Sequence, residues 1–393
     1  MSGKRKGFTV AALLAALVLV MGACSSDDTT DSTASSGGEG GGSIWVLLPD
    51  SATSPRWEGE DRPALQAALE GRCGLTADTD FTIVNAEGDA TTQQSQAEQA
   101  IADGASAIIL ASVDTGSGAT IIEDAEAAGV EVIEYDRFNT GGPGGIAYVS
   151  FDNVQVGRTM ADVLTPLIDA LPAKTPQVVM LNGGEEDNNA FLFKQGYEET
   201  VKPKVAAGEW ALVGDEFVPG WGANGEGQGI MESILVDADN KVDAVFAAND
   251  NLAQQAINAL QAAGVGPIAM SGQDASVAGM QNIILGNQSM SVYKPIPAEA
   301  DVAVAIACAI RNGEDPTAIT SDFDFSIIGI DAATGEALDS PDAEGAVPYY
   351  ATVPIGVTIE NMMDTVIADE YQSLEEICTG DVAATDFCKE NMA

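Results

Sequence analysis

The sequence predicts an α/β protein built from doubly wound lobes with parallel sheets, and three observations carry that prediction. Strand-like and helix-like segments alternate along almost the whole chain, the pattern that parallel sheets with crossover helices produce. The 350 residues from Ile44 onward suffice for two hydrophobic cores. Five strand-like runs end at clusters of carboxylate, amide and guanidinium side chains, and in open parallel sheets ligands bind beyond the carboxyl ends of the strands.

The elements follow in order. Apolar runs predict strands at 44–49, 81–85, 106–111, 130–135 and 146–150, with amphipathic helices at 61–72, 91–103 and 117–128 between them. A second series runs helix 154–170, strand 177–181, helix 189–206, strand 211–217, helix 224–236 and strand 242–248. It continues with helix 250–263, strand 267–271, helix 275–285 and strand 289–293. A helix at 297–312 precedes a less regular tail with strands near 325–330 and 349–353.

The strand ends carry the chemistry. Ile44 to Pro49 stops at Asp50, shortly before Arg56-Trp57, and Val130 to Tyr135 stops at Asp136-Arg137. Val242 to Ala248 stops at Asn249-Asp250, Ile268 to Gln273 at Asp274, and Ser289 to Tyr293 at Lys294. Planar bidentate groups suit adjacent hydroxyls, because carboxylates accept, guanidinium forks donate and amides do both. A small hydroxyl-rich ligand is the expected guest. Structural readings stand beside this one: Asp136-Arg137 as a surface ion pair, Asn249 as the cap of the helix from Asp250, Asp274 as the cap of the helix at 275. Trp45 and Trp210 sit in strand patterns and are expected in the core. Asp237, Asp239, Asn240 and Asp243 mimic part of a calcium loop without its glycine and terminal glutamate, which reads as a solvated turn.

Composition narrows the function class. Histidine is absent and there are five cysteines, so Ser-His-Asp triads, Cys-His pairs and His-bearing zinc sites are excluded. The formal net charge is −44, or −47 once Lys4, Arg5 and Lys6 are removed with a leader. Such acidity argues against nucleic acid, which needs clustered cations. Those three cations precede an uncharged stretch from Phe8 to Met21 and then Gly22-Ala23-Cys24, the plan of an export signal. The cysteine after Gly-Ala resembles a bacterial lipobox, with Cys24 as the lipid-modified first residue. A polar Ser/Thr/Asp/Gly tract up to Ser43 then reads as a flexible tether.

In order and spacing the motifs resemble the periplasmic sugar-binding proteins of ABC importers, type I fold, with D-xylose-binding and multi-monosaccharide-binding members nearest. The resemblance spans about 44–370. It rests on Ser54-Pro55-Arg56-Trp57, Glu134-Tyr135-Asp136-Arg137, Ser150-Phe151-Asp152-Asn153, Asp187-Asn188-Asn189-Ala190, Gly220-Trp221, Ala248-Asn249-Asp250, Ser271-Gly272-Gln273-Asp274 and Val292-Tyr293-Lys294-Pro295. It implies two lobes joined by a three-segment hinge and closing on one sugar. Those lobes are expected at 44–152 with 295–318 and at 153–294 with 319–393, after a leader at 1–23 and a tether at 24–43. The resemblance places Arg56, Asp136 and Arg137 on one side of the cleft. It places Asp187, Asn189, Trp221, Asn249 and Asp274 on the other, with Lys294 beside the hinge. Trp57 and Trp221 offer flat faces to the C–H side of a pyranose. The expected partner is an ABC permease, the ligand a monosaccharide with D-xylose favoured, the protein a cell-surface or periplasmic lipoprotein acting as a monomer without cofactor. A receptor presenting sugar to a sensor kinase is the alternative. A glycosidase fits less well, because the carboxylates travel with Arg, Lys and Asn.

Four cysteines remain once Cys24 is set aside. A sheet of order 2-1-3-4-5 with right-handed crossovers puts the helix at 61–72 and the returning helix at 297–312 on one face. That topology predicts Cys73–Cys308 and leaves Cys378–Cys388 to close a local loop.

Overall fold

The computed structural model describes residues 41–51, 54, 56–338 and 340–392. The expected leader, Cys24 and nearly all of the tether lie outside the described residues. The first lobe is built on β1 (Ser43–Leu48), α1 (Arg62–Cys73), β2 (Phe81–Asn85), α2 (Ala90–Ala102), β3 (Ala105–Leu110), α3 (Thr115–Ala128), β4 (Glu131–Tyr135) and β5 (Ala147–Phe151). The second follows as α4 (Asn153–Asp169), β6 (Gln177–Asn182), α5 (Asn188–Ala206), β7 (Ala211–Phe217), α6 (Glu226–Asp237), β8 (Ala244–Ala247), α7 (Asp250–Ala263), β9 (Ala269–Met270) and α8 (Val277–Ile284). Then come β10 (Ser291–Tyr293), α9 (Ile296–Asn312), β11 (Phe325–Asp331), β12 (Ala337–Leu338), β13 (Ala346–Thr352), β14 (Ile355–Val357), α10 (Leu374–Ile377) and α11 (Asp386–Asn391).

Two sheets result. The larger has the order β12-β11-β13-β5-β4-β3-β1-β2 and the smaller β7-β6-β8-β9. Strands β1 to β5 pair in parallel in the expected order, and β13 adds parallel to β5 with Tyr349 opposite Tyr148. One expectation is corrected here. The segment 319–393 does not belong wholly to the second lobe, since β11, β12 and β13 extend the first sheet beyond β5. The physical reason is the free edge of β5: its backbone groups need partners, and β13 supplies them at four positions. Only the chain after Thr352 returns to the second lobe. The passages between sheets therefore fall after β5, after β10 and after β13, and β10 and β14 pair antiparallel beside them.

Helix α9 holds the first lobe together. It is buried along most of its length by a run rich in alanine and β-branched residues, Ala300 to Ala309. Small side chains let it approach α1, where Leu65 and Leu69, one turn apart, are fully buried. The two helices are joined by Cys73–Cys308, with Cα atoms 6.3 Å apart. Cys378 and Cys388 are bonded as well, with Cα atoms 5.6 Å apart, and brace the tail against α8. In the second lobe α4 and α5 meet at glycines: a Cβ on Gly157 would fall 2.0 Å from the Phe193 carbonyl oxygen, and one on Gly196 2.1 Å from that of Val154. That contact sets where Phe193 points. Trp45 and Trp210 are in the core as expected. Among the described residues no helix is long and apolar enough to cross a membrane.

Candidate functional site

A small cavity of about 30 Å³ lies between the two sheets, at the strand ends. The ten residues singled out from the sequence, Arg56, Trp57, Asp136, Arg137, Asp187, Asn189, Trp221, Asn249, Asp274 and Lys294, all line it. Ser54, Phe193 and Gln273 complete the wall. Every one of these side chains is buried, so the lobes are closed over the cavity.

Asp136 is the electrostatic centre. It follows β4 with φ at 59°, a left-handed conformation that costs Asp less than most residues. Its carbonyl oxygen accepts from Tyr148 Oη at 2.8 Å, Ser150 Oγ at 3.1 Å and Asn189 Nδ2 at 2.8 Å, which fixes the turn. Its carboxylate accepts from Arg56 Nη1 at 2.8 Å and Lys294 Nζ at 3.0 Å. Burial pushes this carboxyl up, but Arg56, Lys294 and Arg137 outweigh it and hold it well below the usual range. It stays ionised. The surface ion-pair reading of Asp136-Arg137 is thereby replaced: Asp136 pairs with Arg56 and Lys294, and Arg137 Nε lies 3.1 Å from the buried Asp187.

Arg56 bridges a wider buried network. Its fork binds Asp61 at 2.8 and 2.7 Å, and Nη2 reaches Glu299 at 3.2 Å. Tyr135 donates its hydroxyl to Asp61 at 2.8 Å. Burial first, and then the charge of Asp136, raises the Glu299 carboxyl well above its ordinary value despite Arg56 and Lys294. An acid whose folded-state pKa is raised binds its proton more tightly in the native protein, so stability falls as pH rises above its unfolded value, about 4.3. Glu299→Gln, which mimics the protonated acid, is expected to raise Tm over wild type by roughly 2 °C or more at pH 8 and by little at pH 4. Thermal melts across that range check it; a gain that is independent of pH would contradict the assignment.

The second lobe supplies the opposite wall. Asp187 caps α5, accepting from Asn189 N at 2.9 Å, and burial pushes its carboxyl up against the pull of Arg137. Asn189 spans the cleft through Asp136, Tyr148 and Asn153. Asn249 does cap α7, its Oδ1 accepting from Leu252 N at 2.8 Å. It also lines the cavity, so capping the helix does not take it away from the cleft. Asp274 does not cap the next helix; Ser276 does. Asp274 instead adopts φ of 91° and presents its carboxylate to Ser54 Oγ at 3.2 Å, while its carbonyl accepts from Tyr371 Oη at 3.1 Å. Burial raises its pKa, opposed by Lys294 and Arg56.

Aromatic surfaces close the remaining sides. Trp221 sits in a short 3₁₀ turn with Gly220 and is itself left-handed, φ 52°. Its ring has room only because residue 183 is glycine: a Cβ there would fall 2.4 Å from the indole. Its Nε1 is buried with no hydrogen-bond partner among the described residues, a donor facing the cavity wall. Phe193 meets Trp221 edge-on with ring centres 6.0 Å apart. Trp57 is flanked by Arg56 and Arg137, their guanidinium carbons 4.6 and 5.2 Å from its ring centre. It braces both cations.

Sequence reasoning missed three lining residues. Ser54 and Gln273 belong to the motifs quoted for the resemblance, and Phe193 lies one helical turn beyond Asn189 on the same face of α5, which was a usable signal. Among the described residues there is no cluster of His, Cys, Asp or Glu suited to a metal ion.

Comparison with known proteins places this geometry. A family model described as periplasmic binding protein domain matches residues 45–315. The chain is 35% identical over 296 residues to a D-xylose-binding periplasmic protein of Escherichia coli, covering 75% of this chain and 82% of that protein. It is 26% identical to a multiple sugar-binding periplasmic receptor of Rhizobium radiobacter, covering 86% and 92%. Among solved structures, an ABC transporter solute-binding protein from Clostridium phytofermentans with bound β-D-glucose superposes with a TM-score of 0.71 at 26% identity, covering 85% of this chain and 99% of that one.

Proposed function

We propose, because this chain belongs to the periplasmic binding protein family of sugar-binding ABC-importer receptors, that it captures a monosaccharide between its lobes and hands it to an ABC permease. D-xylose is the leading ligand, with glucose, galactose and arabinose next. The protein is held to the outer face of the cell membrane through lipid on Cys24 and acts as a monomer. The observation that carries the reading is the cavity between the lobes at which ionised Asp136, Arg137, Asn249, Asp274, Trp221 and Phe193 converge. Two lobes that close on a polar guest make the closed state the one the sugar selects. The Asp136 carboxylate, locked to Arg56 and Lys294, serves as a permanent hydroxyl acceptor, whereas a glycosidase needs one carboxyl poised to donate a proton.

A thermal-shift panel of aldoses tests it. D-xylose at 1,000 times its Kd stabilises the folded form by about 4 kcal/mol, which raises Tm by several degrees. A panel in which no aldose shifts the melting curve would overturn the reading. Palmitate labelling of whole cells, lost in Cys24→Ser, checks the anchor.

A further inference from the structure

A second, larger cavity of about 590 Å³ adjoins the first and shares Ser54, Arg56, Asn249 and Asp274 with it. Its outer wall reaches the surface at Gly59 and Ala278, both exposed. We propose that this outer cavity is a second sugar subsite, so that the protein takes neutral glycosides or disaccharides whose terminal ring occupies the inner cavity. The proposal rests on the sugar-receptor reading above and extends it.

The chemistry of the outer wall matches hydroxyls. Its polar groups include four amides, Asn251 and Gln254 on α7, Gln281 on α8 and Gln372 in the tail, set in an otherwise largely apolar wall. Asn251 and Gln281 donate to carbonyl oxygens through their nitrogens, at 3.0 Å each, which turns their amide oxygens into fixed acceptors. Tyr371 lends an aromatic ring to the same wall. It is built in rather than incidental: its hydroxyl holds the carbonyl of Asp274, and the tail that carries it is tied to α8 by Gln281 and closed by Cys378–Cys388. One residue, Asp274, therefore faces the inner cavity while its backbone is held by the outer one.

Charge narrows the guest. Glu60, Glu376 and Asp250 line the outer cavity. Its lone lining cation, Arg56, already gives its donors to Asp61, Asp136 and Glu299. A uronic acid in this subsite would find no free cation to receive its carboxylate, so neutral sugars are selected.

Calorimetric titration of the full chain with D-xylose, D-glucose, their methyl glycosides, xylobiose and cellobiose tests this, with Ala278→Trp and Gly59→Trp as two independent blocks on opposite walls. A Cβ on Gly59 meets nothing within 4 Å, and neither residue lines the inner cavity. The disaccharide or glycoside of the preferred monosaccharide is expected to bind within about tenfold of it. Either tryptophan should weaken the disaccharide at least tenfold and leave the monosaccharide within about twofold. Monosaccharide binding without any glycoside or disaccharide binding would overturn the second subsite and leave the receptor reading standing. So would blocks that weaken both ligands equally or neither. Absence of binding by every sugar would instead sink the receptor reading, and the subsite with it.

Discussion

Asp136→Ala is expected to abolish sugar binding and to cost about 3–5 kcal/mol of stability, the penalty for removing one partner of a buried charge network. Arg56 and Lys294 both donate to its carboxylate, and both are buried. Without it, Arg56 keeps Asp61 and Glu299, but Lys294 loses its only ion-pair partner among the described residues. The backbone adds to the loss, because alanine is a poorer occupant of φ 59° than aspartate. Asp136→Asn separates these effects. It tolerates the left-handed turn and retains an acceptor, so it should fold better than the alanine variant while still binding sugar weakly. Denaturant melts and titration calorimetry on the two variants check the order. Wild-type stability in Asp136→Ala would mean that the network carries no net energy.

The second large effect is expected at Asp274 and Arg137. Asp274→Ala should lower sugar affinity by roughly 2–4 kcal/mol, about 30- to 1,000-fold, through loss of a charged acceptor inside a buried cavity. Folding should suffer less, since among the described residues its side chain bonds only Ser54 and Gln273. Arg137→Ala should weaken binding comparably but also destabilise, because Asp187 loses a buried cation and the carbonyls of Ser112 and Val113 lose a donor. Calorimetry for affinity and thermal melts for stability separate the two residues. Full affinity in either variant would remove that residue from the site.

The legible part of the fold was the part with a long period. Strand β7 and helix α7 occupy the ranges that their hydrophobic patterns indicate, because seven and fourteen residues give a pattern room to repeat. Strand β9 shrinks to Ala269–Met270, and β12, β14, α10 and α11 went unseen, since two to six residues carry no period. The partner of β13 was invisible for another reason. Alternation along one strand says which face is buried, not which distant edge it will join. The cavity lining was legible because Asp136, Arg137, Asn249, Asp274 and Lys294 lie at or just beyond strand ends, a position that the sequence marks by a change from apolar to polar. Glu299, Asp61 and Tyr135 were missed because nothing local distinguishes a glutamate on a solvated helix from one on α9. The burial of Glu299 comes from its tertiary position beside Arg56, and only the charges around Arg56 explain why it is tolerated.

Titration calorimetry of the wild-type protein with D-xylose, D-glucose, D-galactose and L-arabinose, run beside Asp136→Asn, tests the central claim most directly. One sugar should bind at a single site with a Kd on the order of 1 μM or tighter, and the substitution should weaken it by about tenfold or more. A sugar that binds wild type and Asp136→Asn equally well would place the binding site elsewhere, and the account of this cavity would be wrong.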